Sequence, residues 1–216
     1  MNIAENLHSI RESIPDHVDL VAVSKTKPNA LILEAYNCGQ RIFGENKIQD
    51  LAEKQAALPK DIQWHFIGHL QTNKVKYIAP FVNLIHAVDS LKLLKEINKR
   101  AAQHDRVINC LLQIKIAQEE SKFGLSVSDA KILLASEEVA NLDNIKITGL
   151  MGMATNTPDQ NQVNQEFKDL KSLFDTLTTD YNLTILSMGM SGDYALAIKQ
   201  GSNMIRVGSS IFGART

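Results

Sequence analysis

Lys25 stands just past the apolar run Leu20-Val21-Ala22-Val23, inside Ser24-Lys25-Thr26-Lys27-Pro28. If that run is a strand, alternation points Val21, Val23 and Lys25 to one side. An amine at the mouth of an apolar interior is partly desolvated. It loses its proton more readily and can attack a carbonyl to form a Schiff base. A solvated surface lysine is the competing reading, and Lys27 is expected to be one. Two small-residue clusters follow other apolar runs: Gly189-Met190-Ser191-Gly192-Asp193 and Gly208-Ser209-Ser210. Such clusters let backbone amides approach an anion, and the hydroxyls of Ser191, Ser209 and Ser210 add donors. Tight turns alone would also use these residues. Arg206 lies within Met204-Ile205-Arg206-Val207. A guanidinium there needs an acceptor, which is either a structural ion pair or a ring nitrogen or carboxylate of a ligand.

A lysine for a carbonyl, a Gly/Ser cradle for a phosphate and an arginine for a ring nitrogen together describe pyridoxal 5′-phosphate (PLP). No one of them does so alone. His65, alternating with Trp64 and Phe66, is expected to face the interior and hydrogen-bond near the cofactor; a satisfied core histidine is the plainer alternative. His69, His86 and His104 share no ligand spacing with it, so no metal site is expected. Cys38 and Cys110 are expected to be buried, with no basic neighbour to activate them.

Positioning these groups requires a regular frame. Eight short apolar runs alternate with amphipathic stretches: 20–23, 41–43, 64–67, 84–88, 108–116, 145–150, 183–188 and 204–207. Pro28, Ser90, Ser128-Asp129 and Pro158-Asp159 open helices, the third with Ile132, Leu133 and Leu134 expected inside. The first 14 residues, MNIAENLHSIRESI, form an amphipathic leading helix rather than a signal peptide. Continuous apolar strands separated by helices imply a parallel sheet. Eight units imply closure into an α/β, (β/α)8 (TIM) barrel, with function at the C-terminal strand ends; an open doubly wound sheet is the alternative. No linker breaks the 216 residues, so one domain, 1–216, is expected.

The net charge is −1, without the basic excess expected of a nucleic-acid binder. No uncharged apolar stretch is long enough to cross a bilayer. With two cysteines in a chain able to build its own core, a reducing cytoplasm is the expected compartment. A net charge near zero and no long exposed apolar stripe outside the helices make a monomer the expected state.

The segments AVSKTKP, FGEN, WHFIGHLQTNK, ESKFG, GLMGM, SMGMSGD and IRVGSSIFGAR, running from the first strand to Arg215, carry a resemblance. The chain resembles the pyridoxal-phosphate homeostasis protein family, a fold type III PLP-binding group. The resemblance implies a barrel similar to the N-terminal domain of alanine racemase. It implies that Lys25 carries the PLP aldimine and that Asn46 lies near the cofactor. Ser191, Gly208 and Ser209 would hold the phosphate, and Arg206 would face the pyridine nitrogen. Met153, at the end of the sixth strand, is counted with them.

The family is implied to support the cell's PLP supply, with no established turnover. Racemases of this fold draw a second base from an added β-domain, which is expected to be absent because the chain ends just after the eighth strand. A permanently charged arginine keeps the ring nitrogen unprotonated and weakens the electron sink. The expectation is therefore a carrier or buffer, not an enzyme, that hands PLP to PLP-dependent apoenzymes. A racemase of low activity and a Schiff-base or phosphosugar enzyme without PLP are the alternatives. Lys122 and Lys74 are candidates for a second PLP site, or are simply solvated loop lysines.

Overall fold

The β-branched runs form strands because both their faces find apolar cover. A computed structural model describes residues 2–119 and 123–214. Its strands are β1 (Asp19–Val23), β2 (Ile42–Glu45), β3 (Gln63–Phe66), β4 (Leu84–Val88), β5 (Ile108–Ile114), β6 (Ile145–Gly152), β7 (Ile185–Met190) and β8 (Met204–Val207). They pair in parallel, in chain order, and β8 closes on β1 with Val21 opposite Arg206. The expected closed barrel is therefore the fold, and the open sheet is excluded.

The interior is lined by Val21, Leu84, Ala87, Leu111, Met151 and Met204. The larger core lies outside the wall, between sheet and helices, and includes Phe43, Trp64, Phe66 and Phe167. The leading helix α1 (Ile3–Ser13) buries Ile3, Leu7 and Ile10, spaced at i, i+4 and i+7. Then follow α2 (Asn29–Asn37), α3 (Ile48–Ala57), α4 (Leu91–Ala102), α5 (Val127–Leu134), α6 (Glu137–Ala140), α7 (Gln160–Tyr181), α8 (Tyr194–Lys199) and α9 (Ser209–Phe212). Ser90 caps α4 through Leu93 N–H, and Asp159 caps α7 through two amides.

The pattern departs from eight equal units in places. After β3 comes a 3-10 helix, Thr72–Tyr77, where β-branched Thr72 and Val75 and the nearby Pro80 discourage a longer α-helix. The helix expected at Ser128 starts earlier, with Ser126 as its cap. Ile132, expected inside, is 69 % exposed. Three consecutive residues cannot share one helical face, and Ala130, Leu133 and Leu134 take the buried one. Cys110 is buried as expected, and burial pushes its thiol up to about 12. Cys38 is only half-buried, because it ends α2 rather than sitting within it.

Candidate active site

The first strand delivers Lys25 on a tight turn. Ser24 N–H continues the β1–β2 ladder to Gly44 O at 3.0 Å, and Lys27 N–H closes the turn on Ser24 O at 3.0 Å. Thr26 completes it with φ +65°, a conformation that costs a β-branched residue energy. Lys25 is half-buried and lines a cavity of about 460 Å³ at the C-terminal mouth of the barrel. That volume is in the range of small-ligand sites.

Asn46, Met153, Ser191, Arg206, Gly208 and Ser209 line the same cavity. Seven of the eight residues singled out from sequence, counting Lys25, thus converge on one space. His65 is not among the lining residues; it is buried deeper in the barrel. Lys74 lies in the 3-10 helix, its amine 5.7 Å from the Tyr77 ring centroid, and does not line the cavity. Lys122 falls outside the described residues.

The loops after β7 and β8 are joined across the mouth. Gly208 N–H donates to Ser191 Oγ at 3.1 Å, leaving the serine's own proton available to a ligand. A Cβ on Gly208 would stand 3.2 Å from Val23 O and 3.3 Å from Val23 Cβ, so this backbone is pressed against β1. The first amides of α9 follow at once and have no partners within the helix. Asn46 is placed by Gly68, where a Cβ would come within 2.4 Å of Asn46 O.

Arg206 points inward from β8. Its Nη1 donates to Ser187 O at 3.0 Å and Ser187 Oγ at 2.6 Å, and its Nη2 to Gly152 O at 3.0 Å. All three acceptors are neutral, and no carboxylate lies within ion-pair distance among the described residues. Burial lowers its pKa to about 10, so it remains a cation at neutral pH. Behind it, Ser187 Oγ is 3.2 Å from His86 Nδ1, and His86 Nε2 is 3.0 Å from His65 Nδ1. Burial holds His65 down to about 3 and drives His86 well below the ordinary imidazole value, so both rings are neutral.

A second buried polar cluster escaped the sequence reading. Ser24 Oγ and Lys54 Nζ both donate to Glu45 Oε1, at 2.6 and 2.7 Å. Lys54 also donates to Ser24 O at 2.9 Å. The group ties α3 to the ends of β1 and β2, the residues just before Lys25 and Asn46. Burial raises the Glu45 pKa, opposed by the hydrogen bonds from Lys54 and Ser24. His69 was also passed over. It lines the cavity and stacks on Phe123 with ring centroids 4.4 Å apart.

Comparison with known proteins gives the family and the fold. The chain matches the family described as "Alanine racemase, N-terminal domain" over residues 1–216. It is 38 % identical over 228 residues to the pyridoxal phosphate homeostasis protein of Aquifex aeolicus, covering 100 % of this chain and 99 % of the relative. This chain belongs to the pyridoxal phosphate homeostasis protein family. Two structures of PipY from Synechococcus elongatus superpose on it. The one without PLP has a TM-score of 0.92 at 37 % identity, and the one with PLP bound 0.89 at 36 %. Each comparison covers 98 % of this chain and 100 % of PipY. Alanine racemase from Bartonella henselae shares the fold, with a TM-score of 0.74 at 15 % identity; the match covers 99 % of this chain and 58 % of the racemase.

Proposed function

We propose that this protein binds PLP at the barrel mouth, holds it reversibly on Lys25, and acts as an intracellular carrier or buffer of the cofactor. One observation carries the reading: an amine, a neutral-partnered guanidinium and a Ser/Gly cradle line one cavity. The residues present suit PLP. Bound PLP supplies an aldehyde that condenses reversibly with a primary amine. Lys25 offers that amine from a constrained turn. Ser191, Gly208 and Ser209 offer a hydroxyl and backbone donors to the phosphate. Arg206, charged and donor-only, would meet the ring nitrogen and keep a proton off it. Asn46 and Met153, which line the same cavity, would border the ring. The binding of PLP by PipY supports the same reading for this chain.

A carrier rather than an enzyme fits the lining. Its titratable side chains among the described residues are Lys25, Lys27, His69 and Arg206, with no carboxylate, tyrosine or cysteine. Lys27 is occupied by the carbonyls of Gly213 and Ala214, at 3.2 and 3.0 Å. A cationic cavity suits a phosphorylated anion, and it offers little general acid–base chemistry besides Lys25 and His69. The whole chain is read as one PLP-binding domain that hands the cofactor to apoenzymes. The reading takes the protein as a monomer. Two free cysteines suit the cytoplasm. No helix among the described residues is long and apolar enough to cross a membrane.

The test is the visible absorbance of the purified protein with PLP, before and after borohydride, followed by peptide mapping. A reduced adduct on Lys25, lost in Lys25→Ala, is expected. An adduct elsewhere overturns the site. Amino-acid turnover at an ordinary enzymatic rate of ~1 to 1,000 per second overturns the carrier reading.

A further inference from the structure

The buried groups behind Arg206 run in one line across the barrel from β8 through β7 and β4 to β3. Their protons obey a constraint. The guanidinium can only donate, so Ser187 Oγ accepts from it. Ser187 is fully buried and has one proton. Among the described residues, the acceptor that can take it is His86 Nδ1 at 3.2 Å. His86 then carries its proton on Nε2 and donates to His65 Nδ1 at 3.0 Å. The reverse order would aim an N–H dipole at the buried cation and strand the serine proton in a dry interior. In the forward order every lone pair in the line faces Arg206.

We propose that Ser187, His86 and His65 are positioning residues: a one-directional hydrogen-bond line that holds Arg206 in place through neutral dipoles rather than a direct ion pair. The consequence is specific. Five donors less the three spent on Ser187 and Gly152 leaves two for the cavity, those on Nε and Nη2. Among the described residues the positive charge has no direct ion-pair partner, and Asp193 acts on it only through space, so an electron-rich or anionic ligand completes its contacts. A carboxylate in the line would neutralise Arg206 and remove that demand. Solvation of the cation by dipoles keeps it charged without making it indifferent to a ligand.

The proton order is a property of the protein without PLP, whereas the link to PLP retention rests on the function proposed above. Two measurements therefore separate the claims. The first is the imidazole ¹⁵N spectrum of the PLP-free wild type, expected to show both His65 and His86 neutral, with bare Nδ1 and protonated Nε2. A proton on His86 Nδ1 overturns the line. The second is the PLP dissociation rate. Ser187→Ala and His86→Leu are expected to release PLP at least about tenfold faster, as expected for a lost contact to a charged group. His86→Asn keeps an acceptor near the Nδ1 position and is expected to return the rate to within about threefold of wild type. Unchanged rates in His86→Leu, or equal loss in His86→Asn and His86→Leu, overturn the positioning role. A wild type that forms no adduct with PLP sinks the proposed function, while the ¹⁵N result still decides the proton order.

Discussion

At Thr26 the chain holds a β-branched residue at φ +65° to turn directly after Lys25. Left-handed backbone costs such a residue ~1 to 2 kcal/mol, which glycine avoids at the expense of ~0.4 to 1 kcal/mol of unfolded-state entropy. Thr26→Gly should therefore raise stability by up to about 1 kcal/mol, read by urea unfolding, and speed PLP release because the turn loses its constraint. A less stable variant would show that the threonine is not strained. The Glu45–Lys54 pair makes the opposite case. Lys54→Met leaves a fully buried carboxylate without its cation, at a cost of about 3–5 kcal/mol. The sign with pH follows from burial raising the Glu45 pKa above its ordinary 4.5. The native state then binds more protons than the unfolded one, so this group's contribution falls as pH rises from 4.5 to the raised value. Lys54→Met should steepen that fall, measured as urea midpoints from acid to neutral pH; a slope equal to wild type would refute it. Lys25, Ser191 and Arg206 were legible because each lies at a strand end or breaks an apolar run. Glu45 and Lys54 were not, since charges on a strand end and a helix look solvated until packing removes the water.

Elements were legible wherever period and punctuation agreed. The leading helix, the caps at Ser90 and Asp159 and all eight apolar runs emerged from pattern alone, with ends displaced by a residue or two. Pattern could not say how tightly neighbouring elements approach, and Gly149 shows why that matters. A Cβ there would lie 1.8 Å from Ile185 O, the backbone of the neighbouring strand. Neither partner is a side chain that can swing aside. Gly149→Ala must therefore push β6 from β7, where Gly149 faces Ile185 in register. We expect a loss of at least about 3 kcal/mol. The same separation would move Ser187 and the Arg206 contact to Gly152, so PLP retention should fall with stability. A folded Gly149→Ala protein of wild-type stability would show that the barrel wall yields more easily than its geometry states. His65 marks the related limit within elements: alternation placed it inside the barrel, but only the register of four strands reveals that it reaches the cavity through His86, Ser187 and Arg206.

For the molecule as a whole, a ligand bound only by the native barrel must stabilise it. At a hundredfold excess over the dissociation constant the gain is ~2.7 kcal/mol, which for a chain of this length raises Tm by roughly 5–10 °C. The shift can be divided between the two ends of the site. Lys25→Ala removes the amine but leaves Ser191, Gly208 and Arg206, so PLP should still raise its Tm by a smaller amount. Pyridoxal, with the aldehyde but no phosphate, should lose the contribution of the β7 and β8 loops instead. Those loops join the last two strands to the first through Gly208 packed on Val23, so a phosphate bound there would help hold the barrel closed where β8 meets β1. A pyridoxal shift equal to that of PLP would remove the phosphate from this closure. An equal PLP shift in Lys25→Ala and wild type would remove the amine, and no shift in wild type would detach PLP from the barrel altogether.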